Sequence, residues 1–188
     1  MLSRVLWSLK RLFVQMSIKT KGVIVDADVA RSAGVTEHPV SKSSRDTLMA
    51  LKDSPNFHLV FCPKLREEWK AHKSRFSSAW LTSMYAKKKV KLTAPPSIIE
   101  PYIHIHAGSE KNINIALKDK HLVDSALNGD SVIISNDAAA RAVFALVSKE
   151  FSPLGCVFWV APNISSFKLL FFISNNKNPE DDWKLNIA

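Results

Sequence analysis

The feature that most constrains this 188-residue chain is a short apolar run, Gly22-Val23-Ile24-Val25, that ends abruptly in Asp26-Ala27-Asp28. A continuous apolar run of this length is typical of a parallel strand that is buried on both faces. Polar residues directly after such a strand lie at its carboxyl end. The run therefore predicts the first strand of an α/β fold, with two carboxylates at one edge of its sheet.

Apolar runs and segments of helical periodicity alternate through the rest of the chain, separated by Gly, Pro and Asn residues that favour turns. The elements that this pattern predicts are a loop at 29–40, helices at 41–51, 63–85, 109–117, 119–127 and 137–149, and strands at 57–61, 131–135 and 156–160. Such an order predicts a three-layer α/β/α fold around a mostly parallel sheet. The sheet would have four strands, or five if residues 90–92 add one.

We expect residues 22–161 to form one domain, with an extension at 1–21 and a tail at 162–188 that packs on the domain or trails it. Basic residues interrupt the apolar run of the extension and no small-residue cleavage site follows, so we do not expect a secretion signal. A short amphipathic helix and a translation start at Met16 remain alternatives. No segment is long and apolar enough to predict a membrane span.

The formal net charge is +9, and most of the excess lies in the first half of the chain, especially in residues 64–91. A nucleic acid could be held there by counterion release, although a solvated helix face explains the charge equally well. The candidate nucleic-acid-binding residues are Lys64, Lys70, Lys73, Arg75 and Arg141.

Neither the cysteines nor the clustered histidines predict a metal site. Cys62 and Cys156 lie far apart within apolar stretches, which predicts two buried, reduced thiols in a cytoplasmic protein. His104 and His106 alternate as they would on one strand face, but no third ligand is evident. We therefore expect a plain loop or strand there.

Acidic residues follow the predicted strands in a repeated way. Asp26 ends the first strand, Glu68 lies one turn into the helix after the second, Asp119 begins a helix, and Asp137 follows the third strand. In an open α/β sheet, these positions converge on the crevice beyond the carboxyl ends of the strands. Clustered carboxylates repel one another unless a cation neutralises them, and oxygen ligands favour Mg²⁺ or Mn²⁺.

Each acid also has an ordinary structural interpretation. Asp119 and Asp137 are suited to capping helices, and Glu68 to pairing with Lys64 or His72 on its own helix. Asp26 is the hardest to explain in this way, because a charge at the end of a buried strand is unfavourable unless it is paired or ligated.

Three segments that carry these acids resemble the acidic motifs of PIN-domain nucleases: VIVDADV at 23–29, FHLVFCPKLREEW at 57–69 and KDKHLVDSALNGDSVIISNDAAAR at 118–141. The likeness covers residues 22 to about 161. It implies that Asp26, Glu68, Asp119 and Asp137 are catalytic residues and metal ligands. Asp28 departs from the asparagine that many members carry, and the adjacent Glu67 leaves the choice of glutamate open.

The resemblance implies a metal-dependent ribonuclease acting on RNA, single-stranded RNA above all. Many similar proteins are toxins paired with an antitoxin, so an antitoxin partner is one expectation, and a homodimer through the helices of residues 41–85 is another. Residues expected to support the ligands are Asp28, Ser135, Asn136 and Asp124. Asp124 points roughly 140° away from Asp119 on an ideal helix, so a surface position is the alternative for it. His121 is expected to have a structural or hydrogen-bonding role.

Two rival functions remain at this stage. Asp26-Ala27-Asp28 after a hydrophobic strand resembles the nucleophile and acid pair of haloacid-dehalogenase phosphatases, although the later paired-acid motif of that class is reduced to Asp137. A PIN-like fold can also act as a non-catalytic RNA-binding module, which would be indicated by a missing acid. None of the four acids is missing.

Overall fold

The computed structural model describes residues 20–129 and 131–187. Five strands form one sheet in the order β3-β2-β1-β4-β5, and every neighbouring pair is parallel. The strands are β1 (Lys21–Val25), β2 (Phe57–Phe61), β3 (Val90–Leu92), β4 (Val132–Ile134) and β5 (Trp159–Val160). The predicted three-layer α/β fold with a parallel sheet is therefore confirmed.

Nine α-helices are found in the described part of the chain. They are α1 (Ala27–Ser32), α2 (Pro39–Asp53), α3 (Pro63–His72), α4 (Arg75–Ala86), α5 (Glu100–His106), α6 (Glu110–Leu127), α7 (Ala138–Ser148), α8 (Ser152–Gly155) and α9 (Pro162–Ser174). Two short 3₁₀ turns follow, at Asp181–Trp183 and Leu185–Ile187.

The core lies on both faces of the central strand. Val23, Ile24 and Val25 are fully buried, as the continuous apolar run predicts. On one side α2 packs against α9 and α4, and α1 against α3; on the other side α7 packs against α6 and α8. Helices on both faces explain why β1 has no polar side and why its first polar side chain, Asp26, comes only at the end of the strand.

Several predicted elements are wrong in their extent. Residues 29–40 are not all loop, because Asp26 caps a six-residue helix, α1. The single helix expected over 63–85 is two helices, since Ser74 caps α4 through the backbone N–H of Ser77. The two helices expected at 109–117 and 119–127 are one continuous helix, α6, so Asp119 lies inside a helix and does not begin one.

The segment around the histidines and the chain end also differ from expectation. His104 and His106 lie on α5, where a two-residue spacing does not place side chains on one face. The tail is more regular than predicted, because α9 buries Leu169, Phe172 and Ile173 against the rest of the core. Cys62 is buried as expected but Cys156 is exposed, so the prediction of two buried thiols is wrong for Cys156.

Expectations about residues 1–19 (the amphipathic helix, the start at Met16 and most of the 1–21 extension) lie outside the described residues. Among the residues that are described, no helix combines the length and the hydropathy needed to cross a bilayer.

Candidate active site

The strand order defines where a site can form. β2 and β3 lie on one side of β1, and β4 and β5 lie on the other, so the chain changes direction between β1 and β4. In open α/β sheets the crevice at such a switch point, beyond the carboxyl ends of the strands, is the usual ligand site. Asp26 follows β1 and Asp137 follows β4, so both lie at this crevice.

Asp26 is held by groups from both strands. Its backbone N–H donates to the carbonyl of Ile134 at 3.0 Å, and the Ser135 hydroxyl donates to its Oδ2 at 2.8 Å. The N–H of Asp28 makes a longer contact of 3.4 Å to Oδ1. Asp26 is thus at once the N-cap of α1 and a carboxylate fixed to the end of β4.

Asp137 caps α7 by accepting from the N–H of Ala140 at 2.9 Å, and its own N–H donates to the Ser135 hydroxyl at 3.1 Å. The capping role considered from the sequence is therefore confirmed. It does not remove Asp137 from the crevice, because the side chain lines the same cavity as Asp26.

Glu68 reaches the crevice because α3 is anchored to the sheet. Trp69, fully buried, donates its indole N–H to the carbonyl of Val25 at 2.8 Å, the residue before Asp26. Glu68 then turns to the crevice while Glu67 lies on an exposed groove between α3 and α4. Leu65 and Trp69 are the buried residues of α3, and of the two glutamates it is Glu68 that joins the other acids.

A histidine and a lysine lie beside the carboxylate of Glu68. His121 Nε2 lies 3.1 Å from Oε2 of Glu68, although its N–H is not aligned as a regular hydrogen bond, and Lys64 Nζ lies 3.6 Å from Oε1. Burial acts to raise the pKa of Glu68, but His121, Lys64 and Lys118 outweigh it, and the pKa is lowered. The carboxylate of Glu68 is therefore kept ionised.

Asp119 lies inside α6 and is almost completely buried, with Lys118 Nζ 3.8 Å from its Oδ1. Burial, and then the charges of Asp26 and Asp137, raise its pKa to about 6. Burial also raises the pKa of Asp26, with the hydrogen bond from Ser135 opposing that effect. Asp26 and Asp137 are thus close enough to Asp119 for their charges to disfavour its ionised form.

The four acids line one cavity of about 250 Å³. Its other lining residues are Ala27, Asp28, Arg31, His72 and Lys118. Arg31, His72 and Lys118 were not singled out as site residues from the sequence. The signals that could have found them are local: Lys118 is adjacent to Asp119, and His72 lies one helical turn after Glu68.

Within residues 20–129 and 131–187, no three acidic, histidine or cysteine side chains are gathered closely enough to hold an ion as they stand. The donor set nevertheless fits a hard divalent cation. Burial disfavours the anionic forms of both Asp26 and Asp119, and the charge of Asp26 further disfavours that of Asp119. A bound cation would remove that penalty. Asp26, Glu68, Asp119 and Asp137 are the residues that could hold it.

The residues expected to support the ligands divide into two groups. Ser135 bonds Asp26, and Asn136 donates its backbone N–H to Oδ2 of Asp28 at 2.9 Å, so these three lie where expected. Asp124 is buried instead under α5, where its Oδ1 accepts from the N–H groups of Ile98 and Ile99. It anchors the loop before α5 and is neither at the surface nor at the cavity.

Asp28 is the least satisfied acid in the crevice. Burial, and then the charge of Asp26, raise its pKa to about 7, and its Oδ1 is buried without a hydrogen-bond partner among the described residues. A protonated Asp28 has the hydrogen-bonding groups of an uncharged side chain, which is what an asparagine would supply at the same position.

The five predicted cations do not gather at one place. Lys64 pairs with Glu68, whereas Lys70 and Lys73 line the separate groove between α3 and α4 and Arg75 begins α4. Arg141 lies beyond Asp137 and donates to the carbonyls of Trp159 and Asp182. Of these five cations, Lys64 is therefore the one that lies within 4 Å of an acid of the cavity in the described structure.

A larger cavity of about 470 Å³ lies near the start of the strands, at the opposite end of the sheet from the acids. Residues such as Thr20, His58, Lys91 and Ser131 line it, and none of the four acids does. Size therefore does not identify the site in this protein; the convergence of carboxylates does.

Comparison of the chain with protein-family models, with curated proteins and with solved structures gives no significant match.

Proposed function

We propose that this chain is a PIN-like, Mg²⁺- or Mn²⁺-dependent endoribonuclease that hydrolyses phosphodiester bonds of single-stranded RNA at the acid cavity. The observation that carries the proposal is that Asp26, Glu68, Asp119 and Asp137, from four separate parts of the chain, line one cavity at the switch point of a parallel sheet. Ordinary capping or pairing explains each acid singly but does not explain why all four face the same space.

A divalent ion bound by these carboxylates supplies an activated water and neutralises charge that develops on the phosphate. The chain's own groups prepare the carboxylates for that role. Ser135 fixes the orientation of Asp26, and His121 with Lys64 keeps Glu68 ionised. Arg31 and Lys118, both exposed at the cavity, are placed to bind the phosphates of a substrate strand.

The test is cleavage of end-labelled single-stranded RNA by the purified full chain with Mn²⁺ or Mg²⁺, against the same reaction in EDTA. Asp26→Asn should lower the rate by at least about 100-fold, as is usual when a group that stabilises developing charge is removed. Asp53→Asn is the matched control, because Asp53 is an exposed aspartate far from the cavity in the fold.

A second readout does not depend on finding the right RNA. Mn²⁺ should raise the midpoint of thermal unfolding of the wild type and of Asp53→Asn, but not of Asp26→Asn, since a ligand that binds the folded state stabilises it. A wild type that cleaves no RNA and shows no shift with either ion would remove the basis of the proposal.

The two rival functions are separated by the same variants. In a phosphatase of the haloacid-dehalogenase type, Asp26 would accept the phosphoryl group of the substrate as the alcohol leaves, so it would bind beryllium fluoride as a mimic of that group. Asp26 of a nuclease would not. A non-catalytic RNA-binding module would bind RNA without cleaving it, and Asp26→Asn would leave that binding unchanged or stronger because a negative charge is removed.

The proposal extends to the setting of the enzyme. We propose a cytoplasmic location, on the basis of the two cysteines that form no disulfide, and an antitoxin that blocks the acid cavity, as the PIN resemblance implies. Self-association through the helices of residues 41–85 belongs to the same proposal, and analytical ultracentrifugation of the purified chain tests it directly.

A further inference from the structure

A second groove adjoins the acid cavity. It has a volume of about 440 Å³, runs along α7 towards the start of α9, and shares Asp137 with the acid cavity. Three small residues of α7, Ala138, Ala142 and Ala145, leave the space open, and the buried Trp159 lines it. A strand whose phosphate lies at the acids would therefore have this groove beside it, on the Asp137 side.

The charge of the groove is opposite to that of the acid cavity. Arg141 and Lys149 both line it, and neither is within ion-pair distance of an acid in the described part of the chain. Asp137, where the groove meets the acid cavity, is the one acid in its lining. Arg141 donates to the carbonyls of Trp159 and Asp182, which hold its guanidinium in place but leave its charge without an acidic partner among the described residues. Two such cations along an apolar surface match a ligand that has a flat apolar part and negative charge.

The groove is also large enough for a ligand. The volume falls within the range of roughly 300–1,000 Å³ that is usual for small-molecule sites.

We infer that this groove is a nucleotide subsite, which holds the base of a residue flanking the scissile phosphate while Arg141 and Lys149 contact its phosphates. Apolar surfaces accept bases of any sequence, and cations that follow the backbone favour a single strand, whose bases are free to leave the stack. The position of the scissile phosphate rests on the proposed nuclease function, but the binding of single-stranded RNA in the groove does not.

The test fills the groove without touching the acids. Ala142 and Ala139 are both exposed on α7, but only Ala142 lines the groove, so Ala142→Phe and Ala139→Phe are matched substitutions. Binding of a fluorescein-labelled single-stranded RNA of about 12 nucleotides is measured by anisotropy in EDTA and in Ca²⁺. Ala142→Phe should weaken it at least about fivefold, against less than about twofold for Ala139→Phe.

A charge variant tests the phosphate contact. Lys149→Gln should weaken RNA binding and make the binding constant less dependent on salt, by about one released counterion. Lys177 is exposed and lies outside the groove, so Lys177→Gln should leave both the affinity and its salt dependence nearly unchanged. Replacing the bases of the probe by abasic sites should remove the difference between Ala142→Phe and the wild type.

The outcomes separate the groove from the nuclease. If Ala142→Phe weakens RNA binding but the wild type cleaves no RNA, the result supports the nucleotide subsite and contradicts the proposed nuclease function. Cleavage and binding that are equal in Ala142→Phe and Ala139→Phe would overturn the groove and leave the nuclease intact. If the wild type binds no RNA in either buffer, the proposed subsite is wrong. It is also wrong if Ala142→Phe changes only self-association, which would assign this surface to a second copy of the chain.

Discussion

The Ser135 hydroxyl donates a 2.8 Å hydrogen bond to Oδ2 of Asp26 and so joins the ends of the two strands that flank the switch point. The hydroxyl oxygen of Ser135 also accepts a hydrogen bond from the N–H of Asp137 at 3.1 Å, so this one fully buried hydroxyl connects two candidate ligands. Because this bond favours the ionised form of Asp26, it opposes the rise in pKa that burial causes.

Ser135→Ala is therefore expected to raise the pKa of Asp26 further and to move the acidic limb of the cleavage rate to higher pH. It should also lower the free energy of unfolding by about 1.5–3 kcal/mol, the range for hydrogen bonds to charged groups. The cleavage rate as a function of pH measures the first effect, and urea unfolding measures the second. Ser148→Ala is the control, since that buried hydroxyl bonds only the carbonyl of Ala145 in its own helix; an unchanged pH profile in Ser135→Ala would contradict the role given to Ser135.

Glu68 and Glu67 provide a direct test of the site's composition. Glu68→Gln should lower metal-dependent cleavage by about 100-fold and weaken Mn²⁺ stabilisation, because it removes a charge from the cavity. Glu67→Gln should leave the cleavage rate within about twofold of the wild type and the stabilisation by Mn²⁺ unchanged. Glu67 is an exposed group on another groove, and such charges contribute little. Kinetics and thermal unfolding with Mn²⁺ check both variants. The opposite ranking would show that the other glutamate is the ligand.

Asp28 should make the protein less stable as pH rises. Its pKa is raised from 3.8 to about 7, so between these values the folded protein binds a proton that the unfolded chain has released. Stability then falls with rising pH through this window, and the penalty of roughly 4 kcal/mol is complete above pH 7. Asp119, with a pKa of about 6, acts in the same direction.

Asp28→Asn should consequently be more stable than the wild type at pH 8 in EDTA and nearly equal to it close to pH 4. Asparagine retains an oxygen that can accept from the N–H of Asn136, so the local fold is preserved. Urea unfolding at a series of pH values measures the difference, and Asp53→Asn should show no such trend. A destabilised Asp28→Asn at pH 8 would mean that the charge is compensated in the folded protein.

The two thiols should differ sharply in reactivity. Cys156 is exposed and should react with a thiol reagent in the folded protein, whereas Cys62 is buried and caps α3, so it should react only when the structure opens. Titration should give one fast thiol per native chain and two after denaturation. Cys156→Ser should abolish the fast reaction, and a fast residual reaction would show that Cys62 is accessible.

The sheet and the crevice could be predicted from the sequence because each depends on a local signal with a strong cause. A buried parallel strand must be apolar throughout, so β1 and β2 stand out, and an acid directly after such a strand is conspicuous. Asp26 and Asp137 were found in this way, and their positions follow from the backbone alone.

The errors have a different origin. Aspartate favours helix starts, so the sequence predicts that a helix begins at Asp119. No residue near Lys118 interrupts α6, however, and Asp119 is buried by tertiary contacts in the middle of that helix. The break at Ser74 depends on a hydroxyl that caps α4 and also donates to the carbonyl of Ala33, a contact between distant segments. The contact of His121 with Glu68 crosses from α6 to α3 and has no local signature at all.

The bond between the Trp69 indole and the carbonyl of Val25 has a thermodynamic consequence for the site. It ties α3 to the last residue of β1, so Glu68 cannot move relative to Asp26 without breaking a buried hydrogen bond and displacing a fully buried ring. The loss of conformational entropy needed to bring these two acids together is thereby incurred when the chain folds. A ligand that reaches the crevice meets carboxylates that are already ordered, and less of its binding energy is spent on organising them.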